Sequence, residues 1–481
     1  MSTTKSVIFT TLAVCLALTV QSQINNSNWK VKPVEGYSYT YDNEIKHSGS
    51  SSLKLTSKGN KAGSYMPFSQ VVPVTVEHLK RIVVTAYIKC ADVQTESTLW
   101  CQIWDENDKM IGFQNLGATG VKIYGTSDWK KYSMTLVVNA RARKLLLGGY
   151  LSGTGTAWFD DFRIEEPDGN AGPPSATVTN YIKEFTGIVK QNSIFVDSLN
   201  WTLLDKDIAG FSRGLQTVAE ARFVADYLIQ QLRAVGDNHS FIQNKVVAEQ
   251  YRKSNSNPEK PLAKLLPGNI GYISVPGFGS TNAAVSVQFA TDIQDMIREL
   301  DSKSKINGWV VDLRGNTGGN MYPMIAGLGP LTGEGTLGHF IKMVDKRELT
   351  TAWFYKKGGS GAGSGTIVKV LKPYKLKNKA SKVAVLIGRK TSSSGEMTAI
   401  SFIGKKSSRL FGTSSGGYTT GNVSFSLSDG SNLLLASSYT ADRNMKRYRK
   451  KINPDEVVKP VGDGTDGDVK AASAWLLKPV K

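Results

Sequence analysis

The sequence predicts a multidomain chain: an all-β sandwich, then a helical segment, then an α/β domain. Three observations carry this. The chain has 481 residues, too many for one ordinary core. Between Trp29 and Glu166 it reads as short alternating runs separated by Gly, Asn and Asp. Beyond residue 260, two buried strands, Trp309–Asp312 and Val383–Ile387, lead into glycine- and serine-rich turns, and a helix opens from Met397.

The first segment reads as a targeting signal. Lys5, the apolar run Val7–Val20 and then Gln21-Ser22-Gln23 have the three regions of a secretory signal peptide over residues 1–22. The run is short for a membrane span, and no later stretch is apolar enough for one. The expectation is an exported protein, periplasmic or secreted. Leu12-Ala13-Val14-Cys15 has the form of a lipoprotein box, but the apolar run continues past it.

Residues 24–166 form the predicted sandwich, with strands such as Ile82–Ile88 and Lys131–Val138. Cys90 and Cys101 fall near the ends of two predicted neighbouring strands, 81–90 and 98–104, which leaves open a disulfide or two buried thiols. Asp168-Gly169-Asn170-Ala171-Gly172-Pro173-Pro174 reads as a linker over residues 167–180. Residues 181–260 are helical, with Val218, Ala221, Val224, Leu228, Leu232 and Val235 making one apolar stripe. Residues 261–481 form the α/β domain.

The formal charge is +19. Only about three of these charges fall between Ile24 and Glu166, with 17 basic against 14 acidic residues, so most of the excess lies downstream. Its densest cluster is Arg443, Lys446, Arg447, Arg449, Lys450 and Lys451. Without aromatic interleaving this is no nucleic-acid signature, and attraction to anionic polysaccharide, lipid or acidic peptide suits an exported chain better. With four histidines and no Cys/His ligand spacing, a catalytic metal is not expected.

Thr391-Ser392-Ser393-Ser394-Gly395-Glu396 follows the strand Val383–Ile387 and opens a helix, so a serine there is exposed beside free N–H groups. Upstream lie Gly271-Tyr272-Ile273-Ser274-Val275 and Trp309 to Asn320 with its Asp312-Leu313-Arg314-Gly315-Asn316 loop; downstream lies Asn453-Pro454-Asp455. In this order, over roughly residues 178 to 470, these runs resemble the S41 serine peptidases, which include the C-terminal processing proteases and the tricorn core. The resemblance implies a ClpP/crotonase-like α/β domain and a peptide or protein substrate, and its serine pattern places the nucleophile on Ser393.

One branch of that family carries a lysine about 25 residues beyond the serine; here position 418 is Tyr418. The other branch uses a histidine, and Gly236-Asp237-Asn238-His239-Ser240-Phe241 resembles its motif, making His239 the expected base. Such a base implies activity rising with pH through about 6 to 7.5. Only about 30 residues separate His239 from Asn269, too few for an inserted PDZ module. The tricorn-like glutamate before Pro454-Asp455 falls close to Tyr448 and is absent, so Asp442 is the expected third residue, with Glu396 and Asp237 behind it. The N–H groups of Ser394 and of Gly318 or Gly319 are the expected oxyanion donors.

In the N-terminal region His47–Leu53, Ser127–Tyr132 and Gly155–Ile164 resemble the strands of a jelly-roll carbohydrate-binding or galactose-binding-like module. That likeness implies a structural calcium on Asp160 or Asp161. It also implies a carbohydrate ligand stacked on aromatics such as Tyr37, Tyr39, Trp100 and Trp104. No cofactor is expected for catalysis. A non-catalytic S41-like binding scaffold at the cell envelope is the alternative.

Overall fold

The computed structural model describes the chain except residues 1–20, 25–27, 60–62, 168–170, 247, 250–257, 345–346, 459–465 and 480–481. The predicted signal peptide therefore lies almost wholly outside the described residues, as does part of the linker. Among the described residues no helix is long and apolar enough to cross a membrane. The chain divides into two compact units, Met1–Ser175 with Lys206–Phe223, and Ala176–Asp205 with Val224–Lys481.

The first unit is built on one antiparallel ten-stranded sheet, in which Lys80–Asp105 is a single strand of 26 residues. Residues 80–97 of that strand pair with Ile123–Val138, 83–91 with Gly155–Glu165, and 96–105 with Ala142–Ser152. β-branched and apolar residues at alternate positions along it, Val84, Ala86, Ile88 and Leu99, Cys101, Ile103, point into one core. Trp29 closes that core against Phe68 and Phe162. The two strands predicted over 81–90 and 98–104 are thus one. Cys90 and Cys101 lie along it as free, buried thiols whose pKa values burial raises to about 11 and about 12.

Among its described residues the second unit holds two sheets. A six-stranded one runs Leu262–Leu266, Ile270–Ser274, Gly308–Asp312, Val383–Ile387, Ser408–Gly412, Glu456–Val457, parallel except for its first pair. Gly308–Asp312 and Val383–Ile387 are buried at every position because helices cover the sheet, which is why Trp309–Val311 and Val383–Ile387 read as unbroken apolar runs. These two strands are hydrogen-bonded neighbours, so the loops leaving their carboxyl ends, 313–320 and 388–393, emerge side by side.

An eight-stranded antiparallel sheet is organised around Asn432–Asp442. Phe241–Gln243 and Gly421–Ser426 both pair with that strand, Phe241 opposite Leu434 and Asn422 opposite Ala436. The residues just before each, His239 and Thr420, are thereby brought together although 181 positions separate them. The helix Val218–Ala234 buries Ala221, Val224, Leu228 and Leu232 as the spacing predicts, and ends just before the His239 turn.

Candidate active site

Ser393 sits between the strand Val383–Ile387 and the helix Ser394–Ile400 with φ 52° and ψ −121°. A non-glycine residue in that region is strained. Glu396 holds the conformation in place. Its buried carboxylate accepts from the Ser393 N–H (2.8 Å), the Tyr418 N–H (2.8 Å), the Gly417 N–H (2.9 Å) and the Ser415 hydroxyl (2.5 Å). Burial pushes the Glu396 pKa up while these four donors pull it down. Glu396 thus binds the serine turn to the 415–418 loop and is not a partner of the imidazole.

The loop after Gly308–Asp312 is fixed at both ends. Arg314 pairs with Asp312, Asp466 and Asp468, and Tyr272 donates to Asp312 at 2.7 Å. The buried Asn316 amide donates to the Val275 and Pro276 carbonyls (3.1 Å each) and accepts from the Gly318 N–H (3.0 Å). The Gly318 N–H is therefore already bonded, whereas the N–H groups of Gly319 and Ser394 have no partner among the described residues. Both glycines have positive φ, 107° and 109°. A Cβ on Gly318 would lie 2.9 Å from the Ser393 Cβ, and one on Gly319 would lie 2.1 Å from the Phe278 carbonyl oxygen. Only glycine fits either place.

His239 is buried in a turn built by Asp237, whose carboxylate accepts from the His239 and Ser240 N–H groups (2.9 Å each) and the Ser240 hydroxyl (2.5 Å). Asn422 donates to the His239 carbonyl at 2.8 Å. The imidazole Nδ1 lies 2.9 Å from Thr420 Oγ1, and its ring meets Tyr418 edge-on. With Nδ1–H donating to the hydroxyl, Nε2 is left as an acceptor. Burial pulls the pKa down to about 4 against the nearby Asp237 charge, so the ring is neutral near pH 7, below the range of 6 to 7.5 that the sequence suggests.

Ser393 and His239 line one cavity of about 900 Å³, together with Gly319, Ser394, Tyr418 and Thr420. No hydrogen bond joins the two side chains in this structure. Among the described residues Arg233 is the one fully charged member of the wall, and none of them there is a carboxylate.

Asp442 is not brought to this cavity. Its carboxylate accepts from the Tyr448 hydroxyl (2.9 Å), the Asn444 N–H (2.8 Å) and the Lys446 N–H (3.1 Å), which shapes a tight turn. The reason is register: the His239 turn meets Asn432–Asp442 at Ala436, so Asp442 lies about 20 Å further along the strand at ~3.3 Å per residue. Thr420 occupies the place expected of the carboxylate. Its only signal in the sequence is a threonine two residues past the position where a lysine is missing.

The calcium expectation also meets a different arrangement. Asp160 accepts from the His47 and Ser48 N–H groups, and Asp161, at φ 48°, takes the His47 Nδ1 (2.6 Å) and the Ser48 hydroxyl (2.6 Å). His47 stacks on Tyr87 at 3.6 Å. Calcium needs six to eight oxygens, and these carboxylates face N–H, O–H and imidazole donors, so the residues present do not fit the ion. Among the described residues no group of three or more His, Cys, Asp or Glu is placed to hold a metal.

Residues 269–458 match the profile of peptidase family S41. Over 310 residues the chain is 31% identical to the nisin-resistance protein of Lactococcus lactis subsp. lactis, covering 64% of this chain and 89% of that relative. The chain belongs to peptidase family S41. Among solved structures, this S41 protein is similar to a lipoprotein from Streptococcus agalactiae (TM-score 0.51, 24% identity, 63% of this chain and 96% of that one). A photosystem II D1 C-terminal processing protease aligns at TM-score 0.43 and 12% identity, over 63% of this chain and 97% of that one.

Proposed function

We propose that this S41 protein is an exported serine peptidase that acts through an acyl-enzyme on Ser393. The observation that carries the proposal is one cavity bearing a strained serine at a strand–helix turn, a neutral buried imidazole and two unpartnered N–H groups. In the proposed mechanism His239 Nε2 takes the proton from Ser393 Oγ as that oxygen attacks the scissile carbonyl carbon. The oxyanion forms against the N–H groups of Gly319 and Ser394. The imidazolium then returns its proton to the leaving amine, the C–N bond breaks, and water hydrolyses the ester by the same route in reverse. Thr420 fixes the tautomer but, being neutral, gives the imidazolium no counter-charge. Asp237 supplies that at longer range.

The test is covalent labelling. A fluorophosphonate probe should modify Ser393, identified by peptide mass spectrometry, in the native chain and not in Ser393→Ala. Hydrolysis is then assayed on casein and on nisin, which the Lactococcus relative's name carries. An unlabelled Ser393 in folded protein would favour the non-catalytic scaffold.

We further propose a carbohydrate ligand for the N-terminal unit, on the sheet face that carries Trp100, Gln102 and Trp104. Leu99, Cys101 and Ile103 fill the core on the other side of this stretch. Gly148 opposes Trp100, Phe113 opposes Gln102, and Lys144 lies over the Trp104 ring, which puts two indoles and polar groups on one face. Tyr37 instead packs on the core, with its hydroxyl on the Ser64 carbonyl. Calorimetric titration of soluble polysaccharides, with Trp100→Ala as control, tests this assignment.

A further inference from the structure

The basic cluster singled out in the sequence is a wall of a second cavity. Lys446, Arg447, Arg449, Lys450 and Lys451 line a concavity of about 370 Å³ whose apolar lining includes Leu410 and Ile452. Three of the five cations are engaged: Arg447 pairs with Glu348 at 2.6 Å, Arg449 lies over the Tyr439 ring and Lys446 over Tyr448. The exposed Lys450 and Lys451 have no carboxylate partner among the described residues. The carboxylate in the wall, Asp455, is turned onto the Leu410 N–H at 2.8 Å. The concavity is therefore cationic and incompletely neutralised.

Its position matters as much as its charge. Ile452 exchanges two hydrogen bonds with Ser415, and the Lys450 carbonyl accepts from the Thr419 hydroxyl at 2.7 Å. On its other side the same 415–420 segment presents Tyr418 and Thr420 to the catalytic cavity. This loop is a partition with the reacting groups on one face and the lysines on the other. Within it a Cβ on Gly416 would meet Ser392 Oγ and one on Gly417 would meet Lys451 Cγ at 3.1 Å, so the two faces are separated by the loop's own width.

We propose that this cavity is an exosite for an acidic segment of the polypeptide substrate. The assignment rests on the peptidase reading above and adds the substrate's class: a peptide with carboxylates a short way from the scissile bond. A concave, partly apolar notch suits a chain that inserts side chains, whereas a flat bilayer surface meets only its rim. The described residues of the catalytic wall include Arg233 and no carboxylate, which favours the same charge.

The test uses full-length Ser393→Ala and two fluorescein-labelled peptides, identical except that one carries a run of glutamates and the other glutamines. Anisotropy should show tighter binding of the Glu peptide, with the difference lost in about 0.5 M NaCl. The double variant Lys450→Ala/Lys451→Ala should weaken the Glu peptide by about fivefold to tenfold and leave the Gln peptide unchanged. In the active enzyme the same double variant should raise KM for the Glu peptide without altering kcat for the Gln peptide. Equal affinity for the two peptides, or a preference untouched by the double variant, overturns the exosite. So does lysine-dependent sedimentation with anionic vesicles when the peptides bind alike. If Ser393 proves inert while the Glu preference holds, the peptidase reading falls and the docking site stands.

Discussion

The Thr420 hydroxyl lies 2.9 Å from Nδ1 of His239, and the Thr420 backbone also bonds to that ring. A hydroxyl orients an imidazole but cannot stabilise its cation as a carboxylate does. Removing it tests both halves of that statement. Thr420→Val should lower kcat about threefold to tenfold, the worth of one neutral hydrogen bond, with little change in KM. Thr420→Asp should shift the acid limb of the pH profile upward by placing a charge on the ring. A Thr420→Asp enzyme with an unmoved limb would mean that the hydroxyl does not face the imidazole during turnover.

The pH dependence follows from burial. Because the His239 pKa is lowered to about 4, kcat/KM should rise through an apparent value well below 6 and be flat near neutrality. The stability linkage has a definite sign. A histidine whose folded pKa falls from 6.5 to about 4 resists protonation in the native state, so its contribution is complete above 6.5 and is lost as pH falls through about 4. His239→Gln should flatten that part of the stability profile, measured as denaturation midpoints between pH 4 and 7.

Gly318→Ala should reduce kcat by roughly 10²-fold or more, because the added methyl meets the Ser393 Cβ and the Ser392 carbonyl at 2.9 Å and must move one of them. Ser393→Gly is the complementary change. It abolishes hydrolysis and should raise the thermal midpoint, since glycine relieves about 1–3 kcal/mol of backbone strain at φ 52°. A lower midpoint for Ser393→Gly than for Ser393→Ala would show that the turn is not strained.

Asp442→Asn should leave kcat and KM within about twofold while lowering the denaturation midpoint, because what it weakens is the Tyr448–Asp442–Lys446 turn. A large kinetic loss at unchanged stability would restore Asp442 to the reaction.

What was legible in the sequence was what local pattern encodes. Val383–Ile387 is buried on both faces and so is apolar at every position, and the glycines at 318 and 319 are where the backbone has no room for a side chain. Both can be read from residue type alone. The third member of the site could not be, because His239 and Thr420 meet only through a strand that pairs with both of their neighbours, and register is a property of the sheet. Likewise the sequence places two strands over 81–90 and 98–104, with the polar Gln94–Glu96 stretch between them. In the sheet it is part of one strand, where Gln94 bonds to Thr154 and Glu96 faces Ser152.

That long strand has a practical consequence. Cys90 and Cys101 both lie on it, both are sealed in the core, and no other cysteine follows residue 20. With residues 1–22 removed, a thiol reagent therefore finds nothing to react with until the first unit opens, and it never reports on the second. The time course of labelling becomes a clock for the opening of one half of the molecule, read without introducing a probe.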